Sequence, residues 1–158
     1  MSNDTLLLID GIKGECLDLK YPNAIEAWSW SWMIHQAPGT LYSKSGQGPR
    51  AAIEDFVFTH SIDRASPSLV AYCSRAQHIP KVQIFGRKAT GGTPLTFLMF
   101  TLEDALITSV KPTGGGSVIV ETVSISFVRM KYEYTLQSER GWTAGTVTSI
   151  IDQRSNIG

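Results

Sequence analysis

The stretch of sequence that decides the fold is AIEAWSWSWMIHQ, residues 24–36. Its large apolar side chains, Trp28, Trp30, Trp32 and Ile34, alternate with residues that are mostly small or polar. Alternate side chains of a β-strand point to opposite faces, whereas a helix would scatter these tryptophans around its circumference. The pattern predicts a strand whose tryptophans fill a hydrophobic core. The alternative is that the tryptophans form a platform on which sugars or bases stack.

Further segments with a β-strand pattern follow along the chain. They are Thr5–Asp10, Ala52–His60, Lys81–Arg87, Leu95–Val110, Val118–Tyr134 and Trp142–Asp152. In the fifth of these segments the apolar face changes between Phe127 and Val128, which predicts either a β-bulge or a strand that leaves one sheet for another. About seven or eight strands with little helix are typical of a small β-barrel or sandwich.

One helix is predicted, and it begins at Ser66-Pro67. Serine is a favoured N-cap residue, and proline is favoured at the first helical position. Leu69, Val70 and Cys73 then share one face of a helix of about two to three turns. This face is expected to pack on the sheet, with Cys73 as a buried structural thiol.

The chain has 158 residues with 14 basic and 14 acidic side chains, so its formal net charge is zero. This length predicts a single domain that spans residues 1–158. A nucleic-acid-binding surface would normally carry a basic excess, so no nucleic-acid partner is expected. Near-zero net charge also favours association between molecules.

The sequence lacks the usual signs of membrane insertion and of signal-peptide export. No stretch reaches the roughly 18 apolar residues that are needed to cross a bilayer. Residues 1–8 lack the basic region and the long apolar run of a secretory signal. We therefore expect a protein that folds in the cytoplasm, where Cys16 and Cys73 would stay reduced.

The residue types that usually carry catalysis are scattered along the chain. His35, His60 and His78 lack metal-ligand spacing. The glycines at 114–116 lack the Lys-Ser/Thr that completes a phosphate-binding loop. Cys73 with His78 could form a nucleophile pair, although a buried thiol is the favoured interpretation. We predict no catalytic, cofactor-binding or metal-binding residues and no cofactor, and hence a scaffold or binding module rather than an enzyme.

Six segments form an ordered set along the chain. They are LLLIDGIKGE (6–15), WSW (30–32), FTHSIDRASP (58–67), RKATG (87–91), LEDALITSV (102–110) and ETVSISF (121–127). This set resembles the Hcp (hemolysin-coregulated protein) family, the tube proteins of bacterial type VI secretion systems. Cys16 and Met33 depart from the family pattern, which has serine and glycine there. Residues 37–50 and the tail after Gln137 match it poorly.

The resemblance implies a mainly β fold, a small β-barrel of two antiparallel sheets with one flanking α-helix. It also implies a homohexameric ring that stacks into a tube, with effector proteins in the lumen, a spike protein at the tip and a contractile sheath around the tube. The subunit would be made in the bacterial cytoplasm and secreted through the type VI apparatus without a signal peptide. Some family members carry an extra toxin domain, and this chain is expected to be a plain tube subunit. The alternative function is a small β-barrel ligand-binding protein unrelated to secretion.

Two sets of residues are predicted to act in such an assembly. If the tryptophans fill the barrel, Ser29 and Ser31 face outward, and on a sheet that lines a pore they would face the lumen and contact effectors. Residues 37–50 form a loop longer than most in compact domains, and such loops are usually functional. Contacts between rings are predicted within it, at Leu41, Tyr42, Ser43, Lys44 and Gln47. Three basic residues are expected on the ring surface, Lys13, Arg87 and Lys88.

Overall fold

The structure, a computed structural model, describes residues 4–36, 51–137 and 143–154, with the backbone alone at residues 143 and 144. Ten strands and one helix make up this described part of the chain. In chain order they are β1 (Asp4–Ile9), β2 (Ile25–Ala27), β3 (Ser29–Ser31), β4 (Ile34–His35), β5 (Ala52–Ile53), β6 (Phe56–Ser61), α1 (Ser66–Ser74), β7 (Ile79–Lys88), β8 (Leu95–Thr113), β9 (Val120–Gln137) and β10 (Thr143–Asp152).

One antiparallel sheet curls round to form a barrel. Its strand order is β2-β1-β7-β8-β9-β6-β3, and β10 pairs with β9 outside this path. Only Trp28 separates β2 from β3, and its backbone N–H donates to the Thr59 carbonyl oxygen at 2.8 Å. Residues 25–31 therefore pair with β1 on one side and with β6 on the other, which closes the sheet. A second, two-stranded antiparallel sheet joins β4 to β5, so the predicted β-barrel of antiparallel sheets is confirmed.

The interior of the barrel is filled with side chains. Phe56, Phe58 and Phe100 are among its largest fully buried residues. Trp30 stacks on Phe56 with ring centroids 5.6 Å apart and meets Phe100 edge-on at 5.0 Å. Full burial of a large apolar side chain stabilises the fold by about 1.5–3 kcal/mol, so this aromatic cluster is a major part of the core.

The tryptophan stretch forms three short strands rather than one. Trp30 and Trp32 pack against the core, as predicted. Trp28, however, is 61% exposed, so its assignment to the core is wrong. The cause is the closure of the barrel, because the chain changes pairing partner at this residue and the alternation of inward and outward side chains is interrupted there.

The helix begins where it was predicted but with a different cap. Ala65 is the N-cap residue, and it makes no side-chain capping hydrogen bond. Ser66 is instead the first residue of α1, and its hydroxyl accepts a hydrogen bond from the Asp63 N–H at 3.1 Å. The Asp63 carboxylate accepts from the Ala65 N–H at 2.8 Å, so side chains on both sides of the cap order this turn.

The face that α1 presents to the barrel is narrower than predicted. Leu69 is fully buried, and Cys73 is partly buried against the core. Val70 is half exposed, so its assignment to the packed face is wrong. The reason is geometric, because Leu69 and Val70 are consecutive and consecutive residues of a helix point about 100° apart.

The predicted change of face in β9 occurs without a bulge at that point. Phe127 and Met130 are both buried, but β9 stays in register with β8 there, with Ala105 opposite Phe127 and Glu103 opposite Arg129. Between these pairs Asp104 has a φ of 52°, a left-handed conformation that changes the direction of β8. Over the same region β9 passes from pairing with β6 to pairing with β10. All of these strands belong to the same sheet, so the predicted passage of β9 from one sheet to another is wrong, and the change of face accompanies a change of strand partner within one sheet.

Candidate functional site

One outer face of the barrel is covered mainly by small hydroxyl side chains. It spans β3, β6, β9 and β8, whose alternate residues fill the core and leave the intervening ones outside. We name this surface the hydroxyl face. Its hydroxyl residues are Ser29, Ser31, Thr59, Ser61, Ser109, Thr122, Ser124 and Ser126. Val57 and Val120 lie between them.

The strand register aligns these side chains in rows across the sheet. Ser31 lies opposite Val57, Val57 opposite Ser124, and Ser124 opposite Ser109. In the next row the hydroxyl oxygens of Ser29 and Thr59 are 2.7 Å apart and share a hydrogen bond. These rows form a surface of mainly short, uncharged side chains. At its β8 side, Lys111 opposite Thr122 adds a positive charge and Leu106 lies opposite Ser126.

A register shift at the β8 side of the hydroxyl face adds one more hydroxyl. Ile107 lies opposite Ile125 but Ser109 opposite Ser124, so Thr108 is an extra residue in β8. The Thr108 hydroxyl donates to the Asp55 carboxylate at 2.6 Å. This contact ties the turn before β6 to β8 and gives the Asp55 carboxylate a hydrogen-bond donor at the edge of the hydroxyl face.

The structure brings together the two residues that were predicted to face a lumen. Ser29 and Ser31 are both exposed and lie on the hydroxyl face, on either side of the inward-pointing Trp30. The predicted contacts between rings, Leu41, Tyr42, Ser43, Lys44 and Gln47, lie outside the described residues. Their position relative to the hydroxyl face therefore stays a prediction.

Arg87 is buried, so the expectation that it is a surface charge is wrong. Its side chain is 7% exposed and forms ion pairs with Asp18 at 2.6 Å and with Asp4 at 2.7 Å. The hydrogen bond from Arg87 holds the pKa of Asp18 below its usual value. Lys13 is exposed as expected, whereas Lys88 is only partly exposed and places its ammonium 4.5 Å from the centre of the Phe97 ring.

A buried histidine–glutamate pair lies beneath the hydroxyl face. His60 on β6 pairs in register with Glu121 on β9, and their Nε2 and Oε1 atoms are 2.8 Å apart. Both side chains are almost fully buried. Among the residues that the structure describes, the His60 Nδ1 has no hydrogen-bond partner, and Asp63 Oδ1 is 3.8 Å away. Burial raises the pKa of Asp63.

This pair was not predicted from the sequence, although the positions of its two residues in their strands indicate it. His60 continues the inward series of Phe56 and Phe58, and Glu121 occupies the same face of its strand as Val123. A charged residue at an inward position of an alternating strand requires a partner in the core. Two such residues on different strands are therefore candidates for a pair.

The described residues contain neither a candidate metal site nor a membrane-spanning helix. Within residues 4–36, 51–137 and 143–154, no group of three or more His, Cys, Asp or Glu side chains is arranged to hold a metal ion. The single helix of this part of the chain is also too short to span a membrane.

Comparison with known proteins gives consistent matches over most of the chain. A family model described as type VI secretion system effector, Hcp, matches residues 6–134. Protein hcp1 of Pseudomonas aeruginosa is 31% identical over 143 residues, which cover 89% of this chain and 88% of that protein. The crystal structure of Hcp1 from Salmonella typhimurium aligns with a TM-score of 0.82 and 38% identity over 99% of each chain. A type VI secretion system effector from Yersinia pestis aligns with a TM-score of 0.77 and 33% identity, over 94% of this chain and 99% of that one.

The barrel, its flanking helix and these matches define a β-barrel protein of a bacterial secretion system. The chain belongs to the Hcp family of type VI secretion system proteins. It is thus a tube and effector protein of that system, and proteins of this family are type VI secreted. The family identification from the ordered segments is confirmed, and an unrelated ligand-binding function is not supported.

Proposed function

We propose that six copies of this chain close into a ring, that rings stack into the inner tube of the secretion system, and that the hydroxyl face lines the lumen. The observation that carries this proposal is the hydroxyl face itself. A channel that admits proteins of differing sequence needs a surface with few charges, and Lys111 at the β8 side stands among residues that are mainly uncharged. Short hydroxyl side chains also keep the channel wide and wetted, because they project little and bind water.

A ring of identical subunits requires two different patches that fit one another, since the contact is head-to-tail. An unpaired strand edge is a suitable patch because its backbone N–H and C=O groups are open to a new partner. Among the described strands, β10 pairs along one edge only, with β9. We propose that this edge takes part in closing the ring.

The second proposed contact is the one between stacked rings. β4 and β5 pair with each other and flank residues 37–50, so both ends of that segment are held together at one place on the barrel, with His35 opposite Ala52. This support favours a contact function for residues 37–50. We assign the inter-ring contact to Leu41, Tyr42, Ser43, Lys44 and Gln47 within it.

The remaining partners follow from membership of a tube-protein family. Effector proteins would occupy the lumen and contact Ser29 and Ser31, a spike protein would cap the tip, and a contractile sheath would surround the tube. The chain would act as a single domain over residues 1–158, without a catalytic step. It would be made in the bacterial cytoplasm and leave through the apparatus itself, without a signal peptide.

The ring and the orientation of the hydroxyl face can be tested on the purified protein. Light scattering should give the mass of six subunits, and electron micrographs should show rings with a central hole. For the orientation, Ser31→Cys is made in a Cys16→Ser, Cys73→Ala background and labelled with maleimide polymers of increasing size. Ser74→Cys, on the exposed end of α1, is the matched control.

In a ring whose lumen is lined by Ser31, small maleimides should label both cysteines, and large polymers should label only the cysteine at position 74. A monomeric mass at every concentration would contradict the ring. Equal labelling of the two positions by the largest polymer would contradict the lumen assignment while leaving the ring intact.

A further inference from the structure

Two leucines of the segment that joins β1 to β2 project fully into solvent. Leu17 is 94% exposed and Leu19 is 100% exposed, the two highest values among the large apolar residues that the structure describes. Single exposed apolar side chains are common on protein surfaces. Two almost completely exposed leucines separated by one residue form a small apolar projection, which we name the leucine pair.

The leucine pair projects because the residue between the two leucines is held inward. Asp18 forms an ion pair with the buried Arg87 at 2.6 Å. Its other carboxylate oxygen accepts hydrogen bonds from the backbone N–H groups of Lys20 at 2.9 Å and Tyr21 at 3.1 Å. With Asp18 fixed towards the barrel by three contacts, the side chains on either side of it point outward.

The segment on both sides of the leucine pair is firmly attached to the barrel. Tyr21 stacks on Phe85 with ring centroids 4.1 Å apart, and its hydroxyl shares a hydrogen bond with Thr96 at 3.0 Å. The Gly14 N–H donates to the Asn23 carbonyl oxygen at 2.8 Å, which closes the base of the segment. The leucines are therefore presented on an ordered support, and a partner would not have to order this segment on binding.

A small hydrophobic cluster lies directly under this segment without taking up the leucines. It consists of Leu6, Tyr21, Ala24 and Phe85. Beside Leu19 the surface forms a cleft of about 270 Å³. The other residues that line it are Asp18, Lys20, Arg87, Thr93 and Pro94. The projection and the cleft next to it give this part of the barrel both a raised and a recessed feature.

We propose that the leucine pair is a contact through which each copy of this chain docks on a neighbouring copy. The partner is inferred from the size of the contact. Two leucines supply only a small part of the roughly 1,200–2,000 Å² that a stable pairwise interface buries. Such a contact becomes effective when it is repeated in a symmetric assembly, where each contact made raises the effective concentration for the next. A second copy of the chain offers that repetition, so this inference rests on the proposed ring and tube.

The test compares the concentration dependence of assembly in three variants. Leu17→Ser with Leu19→Ser removes the apolar projection, and Leu17→Met with Leu19→Met keeps it. Val70→Ser, a half-exposed residue of α1, is the control for loss of an exposed apolar side chain. Sedimentation velocity and electron microscopy give the concentrations at which rings and stacks form, and circular dichroism melting monitors the fold.

For each leucine replaced by serine, the protein concentration at which rings or stacks form should rise at least about tenfold. The reason is that burial of one leucine in a contact changes the dissociation constant by about that factor or more. The methionine variant and Val70→Ser should assemble as the wild type does, and all three should melt at similar temperatures. A serine variant that forms rings and stacks at wild-type concentrations overturns this inference alone. A wild-type chain that stays monomeric at all concentrations overturns the proposed ring as well.

Discussion

Replacing His60 with phenylalanine, Glu121 with leucine, and both together measures how strongly the buried pair is coupled. The wild-type imidazole and carboxylate are 2.8 Å apart, with exposures of 0% and 2%. Each single replacement removes one partner and leaves the other in the core. The double replacement leaves two apolar side chains of similar volume in the same space.

The expected change in unfolding free energy differs between the three variants. His60→Phe leaves a buried carboxylate without its partner, which costs about 3–5 kcal/mol of unfolding free energy. Glu121→Leu leaves a buried imidazole without hydrogen bonds, and each unsatisfied polar group costs about 1–3 kcal/mol. The double variant should be close to the wild type or more stable by about 1–4 kcal/mol, because well-packed apolar residues often replace a buried ion pair without loss. The new phenylalanine would lie beside Phe58, whose ring centre is 5.5 Å from that of His60.

The measurement is urea unfolding of all four proteins at neutral pH, followed by tryptophan fluorescence at concentrations below those that give rings. The unfolding free energies form a double-mutant cycle, and we expect a coupling energy of about 3 kcal/mol or more. Equal m-values would show that the variants expose similar surface on unfolding. Single effects that add within about 0.5 kcal/mol to give the double effect would refute the reasoning, because the two side chains would then act independently.

Four further changes have defined outcomes. Asp18→Asn should lower stability at neutral pH. Arg87 lowers the pKa of Asp18 in the folded protein. The extra stability of the wild type is therefore present above the pKa of Asp18 in the unfolded chain and is lost as the pH falls through its pKa in the folded protein. Acid titration of both proteins would show this loss. Gly14→Ala should cost about 1–3 kcal/mol in urea unfolding, because its new Cβ would collide with a backbone carbonyl, whereas alanine at Gly91, where the space is open, should cost little. Ser31→Trp should reduce the amount of a co-expressed effector that copurifies with rings while leaving the rings intact, and Ser74→Trp should reduce neither. Deletion of residues 41–47 should leave rings in electron micrographs but abolish tubes, and tubes of normal length would contradict the assigned inter-ring contact.

Local alternation in the sequence predicted much of the barrel because burial on a strand repeats every two residues. It placed Trp30 in the core and Ser29 and Ser31 outside, as the structure has them. The same alternation applied to charged residues would have identified His60 and Glu121. Both residues stand at inward positions of their strands, where a polar side chain requires a partner in the core.

Other features depend on contacts between distant parts of the chain. Arg87 is buried by Asp18 and Asp4, which lie 69 and 83 residues away in sequence. A basic residue beside Lys88 in a polar segment gives no local sign of such partners. Trp28 is exposed because the sheet closes at that residue, and closure depends on the placement of β1 and β6 rather than on the neighbours of Trp28 in sequence.

The closure of the sheet through residues 25–31 has a consequence for how a neutral protein avoids uncontrolled aggregation. Copies with zero net charge are not kept apart by long-range repulsion, so they meet often. Open strand edges would then recruit one another in many registers, as in fibrils. By joining the two ends of its main sheet, the chain withdraws those edges from solvent, and backbone pairing between copies is directed to the edge of β10 that we propose takes part in closing the ring.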